Sequence, residues 1–267
     1  MDELVRVGGQ ALGDGVLMRS KNYWAIARDG GSIEWGFYRP LTDRYPKLNV
    51  FLLRSIAAMA EGFVFAFKAQ ARSRGPTKRF YLWIAAYAAL ALLLAIAEEI
   101  WFSNSLAAHL AFLLLSFAGA VFAISRGLPG DVWSYHGAEH KAVNAYEAGI
   151  RFGSASLVQK FSRVHPRCGT NLIGLLLLSS PFYLILDGID PPFWFAAVYG
   201  IAAPALAVEV FRHAARTPAS RSSRALLFAG TFVQRYITTK EPSDAQIEVA
   251  MRALNVVLDL QTADSER

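Results

Sequence analysis

The stretch 133–149 reads Trp-Ser-Tyr-His-Gly-Ala-Glu-His-Lys-Ala-Val-Asn-Ala-Tyr-Glu-Ala-Gly and holds two histidines four residues apart, with a glutamate beside the second. On a helix His136 and His140 share one face about one turn apart, near enough to bind one metal ion. Glu139 falls at the edge of that face. The pattern H-x-x-E-H is the arrangement of inverted zinc proteases, in which the glutamate activates a water at the metal. A second cluster follows at 165–171, His-Pro-Arg-Cys-Gly-Thr-Asn, which spaces His165 and Cys168 as H-x-x-C. Both are good zinc ligands. Three of the five histidines and the single cysteine thus fall between residues 136 and 168. All four together would fill a tetrahedral site, and any three would leave one position for water, as a catalytic site needs. Taken singly, the histidines read as hydrogen-bonded helix residues and Cys168 as a small packing residue. Glu147 shares the helical face but lies roughly 10 Å beyond His140 on a straight helix, so its expected role is a salt bridge to Arg151. Lys141 and Arg167 read as solvated charges or as binders of an anionic group. Asp14 is a further possible ligand or acid/base, and His109 a hydrogen-bonding residue within an apolar run.

Several elements must position these residues. A helix over 135–148, stopped by Gly149, carries the H-x-x-E-H face. Val16–Ser20, Asn22–Arg28 and Ser32–Tyr38 read as short strands, with Asp29-Gly-Gly31 as a hairpin turn. The glycine-rich loop at 8–15 lacks the Gly-Lys-Ser/Thr of a phosphate loop and reads as a tight turn. A C-terminal helix starts at Ser243 with Gln246 completing a capping box. Its apolar face is Ile247, Ala250, Met251, Leu254, Val257 and Leu258.

The chain has 267 residues, 54% of them hydrophobic and only 18% charged, below the charged fraction of an ordinary globular domain. With one cysteine, no intrachain disulfide can form. The first 45 residues show no apolar core of a cleavable signal peptide. Four apolar runs, at 80–101, 105–124, 171–189 and 193–211, are each about long enough for a membrane span of roughly 20 residues. All 27 Lys and Arg lie outside them: 13 in 1–79, 6 in 125–170 and 8 in 212–267. By the positive-inside rule this places both termini and the central loop in the cytoplasm. The net charge of +6 then becomes a topology signal and an attraction to anionic headgroups of a lipid bilayer, not a sign of nucleic acid binding. Arg54, Glu61 and Lys68 make one narrow polar stripe on 48–71, which reads as an amphipathic helix lying in the interface or packed against the bundle, with a fifth span as the competing reading. Glu209 is expected to pair with Arg212 or His213.

The expected fold class is therefore an α-helical polytopic membrane protein, with about four transmembrane helices in two hairpins plus a small α+β cytoplasmic domain. The expected segments are a cytoplasmic N-terminal part with short strands (1–47), the interfacial helix (48–79), hairpin 1 (80–124), the loop with the metal site (125–170), hairpin 2 (171–211) and C-terminal cytoplasmic helices (212–267).

Four stretches, Gly-Gly-Gln-Ala-Leu-Gly-Asp-Gly-Val from Gly8, Tyr-His-Gly-Ala-Glu-His-Lys from Tyr135, His-Pro-Arg-Cys-Gly-Thr-Asn from His165 and Tyr-Ile-Thr-Thr-Lys-Glu-Pro-Ser from Tyr236, resemble in order the motifs of the YqhQ-like family of bacterial membrane proteins. That family is of unknown function and labelled a predicted metal-dependent enzyme. The resemblance runs from about Val7 to Leu254. It implies metal candidates His136, Glu139, His140, His165 and Cys168, with Glu147 as an associated acid. The family's N-terminal motif carries Met-Glu where this chain has Gly13-Asp14, a carboxylate one methylene shorter. The expected function is an integral inner-membrane metalloprotein: a zinc-dependent hydrolase at the cytoplasmic membrane face. A divalent metal, zinc, would sit on His136, His140, His165 and Cys168, with Glu139 as the catalytic base. The alternative is a non-enzymatic assembly or scaffold protein with a structural metal site, working as a homo-oligomer or with a membrane-complex partner.

Overall fold

The computed structural model describes residues 4–72, 131–151, 153–172, 174–176 and 194–265, together with short stretches and single positions between 82 and 122. The chain divides into two compact units. The first comprises Met1–Arg74, Gly130–Leu176 and Gly200–Arg267, and the second Gly75–Pro129 and Leu177–Tyr199.

The first unit is built on a four-stranded antiparallel meander in the order β1 (Gly8–Leu12), β2 (Gly15–Arg19), β3 (Tyr23–Arg28), β4 (Ile33–Phe37). Gly13-Asp14 joins β1 to β2 with Leu12 opposite Gly15, and Asp29–Ser32 joins β3 to β4 with Gly31 at φ +84°. Alternation along the strands gives the sheet two different faces. Val16, Met18, Ala25 and Ala27 point to one core, and Leu12, Leu17 and Ile26 to the other.

Helices cover both faces. After α1 (Leu41–Arg44) and a 3₁₀ turn (Pro46–Leu48), α2 (Leu53–Arg72) lays Phe65 and Ala69 against Leu12, Leu17 and Ile26. On the other face pack α3 (Val132–Glu147) and, after α4 (Ala155–Val158), α5 (Phe195–Arg216), α6 (Arg221–Val233) and a π turn (Gln234–Thr238), the C-terminal α7 (Asp244–Ser265). Helix α7 starts as its sequence dictates. Ser243 N–H donates to Gln246 Oε1 at 2.9 Å and Gln246 N–H donates back to Ser243 Oγ at 3.3 Å. Ile247, Ala250 and Val257 on its apolar face are fully buried against the sheet and α3.

Two residues of the α2 polar stripe, Arg54 and Glu61, are engaged within the protein, and Lys68 is exposed. Arg54 Nη2 lies 2.5 Å from Glu209 Oε2 of α5, Ser55 Oγ donates to Glu209 Oε1 at 2.7 Å, and Glu61 accepts from the Leu41 N–H. Glu209 therefore pairs across helices with Arg54, and not with Arg212 or His213 of its own helix. Of the second unit the described residues include Trp83 and Phe122, whose rings meet edge-on at 5.6 Å.

Among the described residues no helix is long and apolar enough to cross a membrane. This overturns the expected polytopic fold of four transmembrane helices. The inner-membrane localisation with cytoplasmic termini, which was built on those spans, is corrected with it. The fold described is an antiparallel four-stranded sheet with packed helices. Of the expected span 80–101 about half lies outside the described residues, of 105–124 more than half, and of 171–189 everything beyond Leu176. The run 193–211 falls on α5, whose charged residue Glu209 is held by Arg54 and whose Ala205, Ala207 and Val208 are buried within the protein. Packing accounts for those residues of the helix, while its Val198, Ile201 and Leu206 are exposed.

Candidate metal centre

Helix α3 spans Val132–Glu147 and stops as Gly149 turns to φ +89°. His136 and His140 lie one turn apart on it, with ring centroids 4.4 Å from each other. Each ring is fixed by a backbone carbonyl. His136 Nδ1 is 2.7 Å from the Thr238 oxygen, and His140 Nδ1 is 2.6 Å from the Arg163 oxygen. A carbonyl only accepts, so each Nδ1 carries the proton and each Nε2 presents its lone pair. Cys168 Sγ sits 3.3 Å from His136 Nε2 and 3.0 Å from Thr170 Oγ1. The ligand atoms of His136, His140 and Cys168 all lie within 4.8 Å of one another. Tetrahedral bonds of about 2.0 Å to nitrogen and 2.3 Å to sulfur put such atoms roughly 3.5 Å apart, so the donor set suits a zinc-type ion, and binding one would draw the wider spacings, up to 4.8 Å, together. The carbonyls from Thr238 and Arg163 are the outer partners that metal-bound imidazoles ordinarily have.

Glu139 is buried, and its Oε2 lies 3.5 Å from His140 Nε2, the nitrogen that faces the cluster. The carboxylate rests on the backbone of β1. A Cβ added to Gly9 would come within 2.6 Å of Glu139 Cγ and 2.8 Å of its Oε1. His136 and Cys168 are half-buried, so the cluster is open on their side.

His165 is near but differently used. Its ring lies 5.8 Å from that of His140, yet both its nitrogens are engaged. Nδ1 accepts from the Arg167 N–H at 3.2 Å, which leaves the proton on Nε2, 3.4 Å from Glu147 Oε2. Among the described residues His165 falls outside the group of mutually close ligand atoms. Glu147 bridges His165 and the Arg167 guanidinium, and Arg151 reaches Asp259 instead. Burial pushes the Glu147 carboxyl up, but hydrogen bonding and charge from His165, with Arg167, hold it below its ordinary value. Asp14 stays at the β1–β2 turn, 3.8 Å from Arg28 Nε. His109 lies outside the described residues.

The chain also supplies supports that carry no metal-site signature in the sequence. Lys141, read as a solvated charge, is buried. Its Nζ donates to the carbonyls of Gln159 at 2.6 Å and Phe161 at 2.9 Å, and pairs with Glu241 at 2.6 Å. Asn144 Nδ2 donates to the carbonyls of Ser162 at 2.7 Å and Val164 at 3.2 Å. Helix α3 thereby clamps loop 159–164 to itself, and the Arg163 carbonyl between those anchors meets His140. On the other side the π turn presents the Thr238 carbonyl to His136, and Gln234 Oε1 accepts the His165 N–H at 2.9 Å. Gly137 lets this segment approach α3, because a Cβ there would collide with the Lys240 carbonyl. Lys240 N–H in turn donates to the Trp133 oxygen at 2.8 Å.

Residues 77–260 match the family described as "Protein of unknown function (DUF1385)". The chain is 27% identical over 304 residues to the uncharacterized protein YqhQ of Bacillus subtilis (strain 168), covering 97% of this chain and 94% of that protein. No solved structure matches it. The chain therefore belongs to the DUF1385 family of proteins of unknown function.

Proposed function

We propose that this protein is a metal-dependent hydrolase whose single zinc-type ion is held by His136 Nε2, His140 Nε2 and Cys168 Sγ, with Glu139 as general base. The observation that carries the reading is the pinning of both histidines by carbonyls on Nδ1, which turns two lone pairs and a thiol towards one point. Three protein ligands leave a fourth position, the arrangement of catalytic and not of closed structural zinc. The bound ion would supply Lewis acidity towards a substrate carbonyl. The Glu139 carboxylate accepts a proton from the attacking water while the water oxygen bonds to the acyl carbon. When the bond to the leaving group breaks, Glu139 returns that proton to it. His165 and Glu147 flank this centre outside the ligand set.

The test is a pair of variants. Glu139→Gln should keep the metal and lose hydrolysis by a factor of about 100 or more. A structural ion would leave that variant unaffected, and such a result would refute the enzymatic reading.

A further inference from the structure

Cys168 is the chain's single cysteine and the one member of the ligand set that comes from a loop. The backbone around it is fixed. The His165 N–H donates to Gln234 Oε1 at 2.9 Å, the Pro166 carbonyl accepts from Asn171 Nδ2 at 2.9 Å, and Gln234 and Asn171 are fully buried. Cys168 N–H donates to the His165 oxygen at 3.2 Å, and the Cys168 carbonyl accepts from the Asn171 N–H at 3.1 Å. Among the described residues the sulfur has two side-chain hydrogen-bond neighbours, His136 Nε2 at 3.3 Å and Thr170 Oγ1 at 3.0 Å. Proton counting gives each contact its direction. His136 donates through Nδ1 to the Thr238 carbonyl, so its Nε2 only accepts. Two facing lone pairs would repel, so the one proton of the thiol points at Nε2. The thiol has no second proton to give, and the Thr170 hydroxyl therefore donates to the sulfur. A thiolate, the form that ligates metal, only accepts, so this bond keeps its direction with an ion in place.

We infer that Thr170 is a positioning residue of the metal centre: its hydroxyl, by donating to Cys168 Sγ, sets the direction of the sulfur and turns its remaining lone pairs towards His136 and His140. This rests on the three-ligand centre proposed above, and not on the hydrolytic step. It gives each ligand an outer partner, the Thr238 carbonyl for His136, the Arg163 carbonyl for His140 and the Thr170 hydroxyl for Cys168. The two kinds of partner act in opposite senses. A carbonyl on Nδ1 strengthens an imidazole as a donor, whereas an O–H on the sulfur draws charge from it and leaves the ion the stronger Lewis acid. Thr170 is half-buried and opens the helical residues 170–172, where a β-branched side chain is restricted at χ1.

Two substitutions separate the hydroxyl from the methyl group of Thr170. Thr170→Val keeps the shape and loses the O–H, and Thr170→Ser keeps the O–H and loses the methyl. Zinc affinity is read by competition with a chromophoric chelator, and the sulfur by the thiolate-to-metal charge-transfer band of the cobalt(II)-substituted protein. Thr170→Val should bind zinc about 10–100 times more weakly. Its band should move to lower energy, because a thiolate without the hydrogen bond holds its electrons less tightly. Thr170→Ser should match wild type in both readouts, which a packing role for the methyl would reverse. Should Thr170→Val fail to fold, Thr170→Ala takes its place with the same expected losses. Wild-type affinity and band position in the folded variant without the hydroxyl, or an equal loss in Thr170→Ser, overturns the proposal. So does a wild type that binds no metal or whose cobalt form lacks the band, and that result overturns the ligand set with it. Undiminished hydrolysis in Glu139→Gln refutes the hydrolase alone and leaves the role of Thr170 standing.

Discussion

A carbonyl oxygen on each imidazole decides what His136 and His140 can do, since it commits Nδ1 to donation and leaves Nε2 facing Cys168. The spacing of His136, Glu139 and His140 was readable from the sequence, because three and four residues bring helical side chains to one face. The partners that aim them were not, since any residue can offer a carbonyl and neither Thr238 nor Arg163 is marked by its side chain. His165 had the right type and position yet is committed to Glu147 and Arg167, a choice made by loop geometry that spacing does not encode. Two outcomes are expected at this scale. Gly9→Ala should displace Glu139, since its Cβ would lie 2.6 Å from Glu139 Cγ. It should lower turnover while zinc content stays unchanged, with a folding cost of about 1–3 kcal/mol read from urea melts. Lys141→Met should strand two loop carbonyls and a carboxylate. It should destabilise by about 1–3 kcal/mol and weaken metal binding, measured by competition with a chromophoric chelator.

Among the elements, those with a local rule behind them were legible. The Ser243–Gln246 capping box opens α7, Gly149 closes α3, and the runs read as strands at 16–20, 22–28 and 32–38 coincide with β2, β3 and β4. The π turn at Gln234–Thr238 was not legible, because it depends on what α3 and the 165–168 loop require of that segment. The partner of Glu209 was also missed: i, i+3 and i+4 reasoning looks along one helix, whereas Arg54 comes from another. The Arg54 guanidinium and Ser55 hydroxyl, opposed by burial, hold the Glu209 carboxyl at about 2, below its ordinary 4.5. A carboxyl lowered on folding stabilises the protein fully above its unfolded value and loses that contribution as the pH falls through the folded value. Urea midpoints should therefore decline between pH 4.5 and about 2. In Glu209→Gln that part of the decline should be absent.

For the whole molecule, hydropathy was the misleading signal. Lys and Arg counts on either side of an apolar run give topology only where the run spans, and no helix among the described residues is long and apolar enough to do so. In α5 the run ends in a charged residue that the protein itself neutralises, and part of its apolar surface is packed. The alternation in β2 and β3 shows what the apolar residues near the site serve: one sheet face packs on α3 and α7, and the other on α2. The centre draws its ligands from α3 and from the loop at Cys168, 28 and 32 positions on from His140 and His136, so binding a metal should tie these segments together. A ligand at about a hundred times its dissociation constant stabilises by about 2.7 kcal/mol. A chelator should therefore lower the melting temperature of wild type by roughly 5–10 °C and leave His136→Ala unmoved.

The most direct test of the central claim is the zinc content of the purified, folded protein, measured by mass spectrometry of the metal alongside chain concentration. One equivalent per chain in wild type, lost in a folded Cys168→Ser or His136→Ala, is the predicted result. Folded wild-type protein that remains metal-free after equilibration with zinc would contradict it.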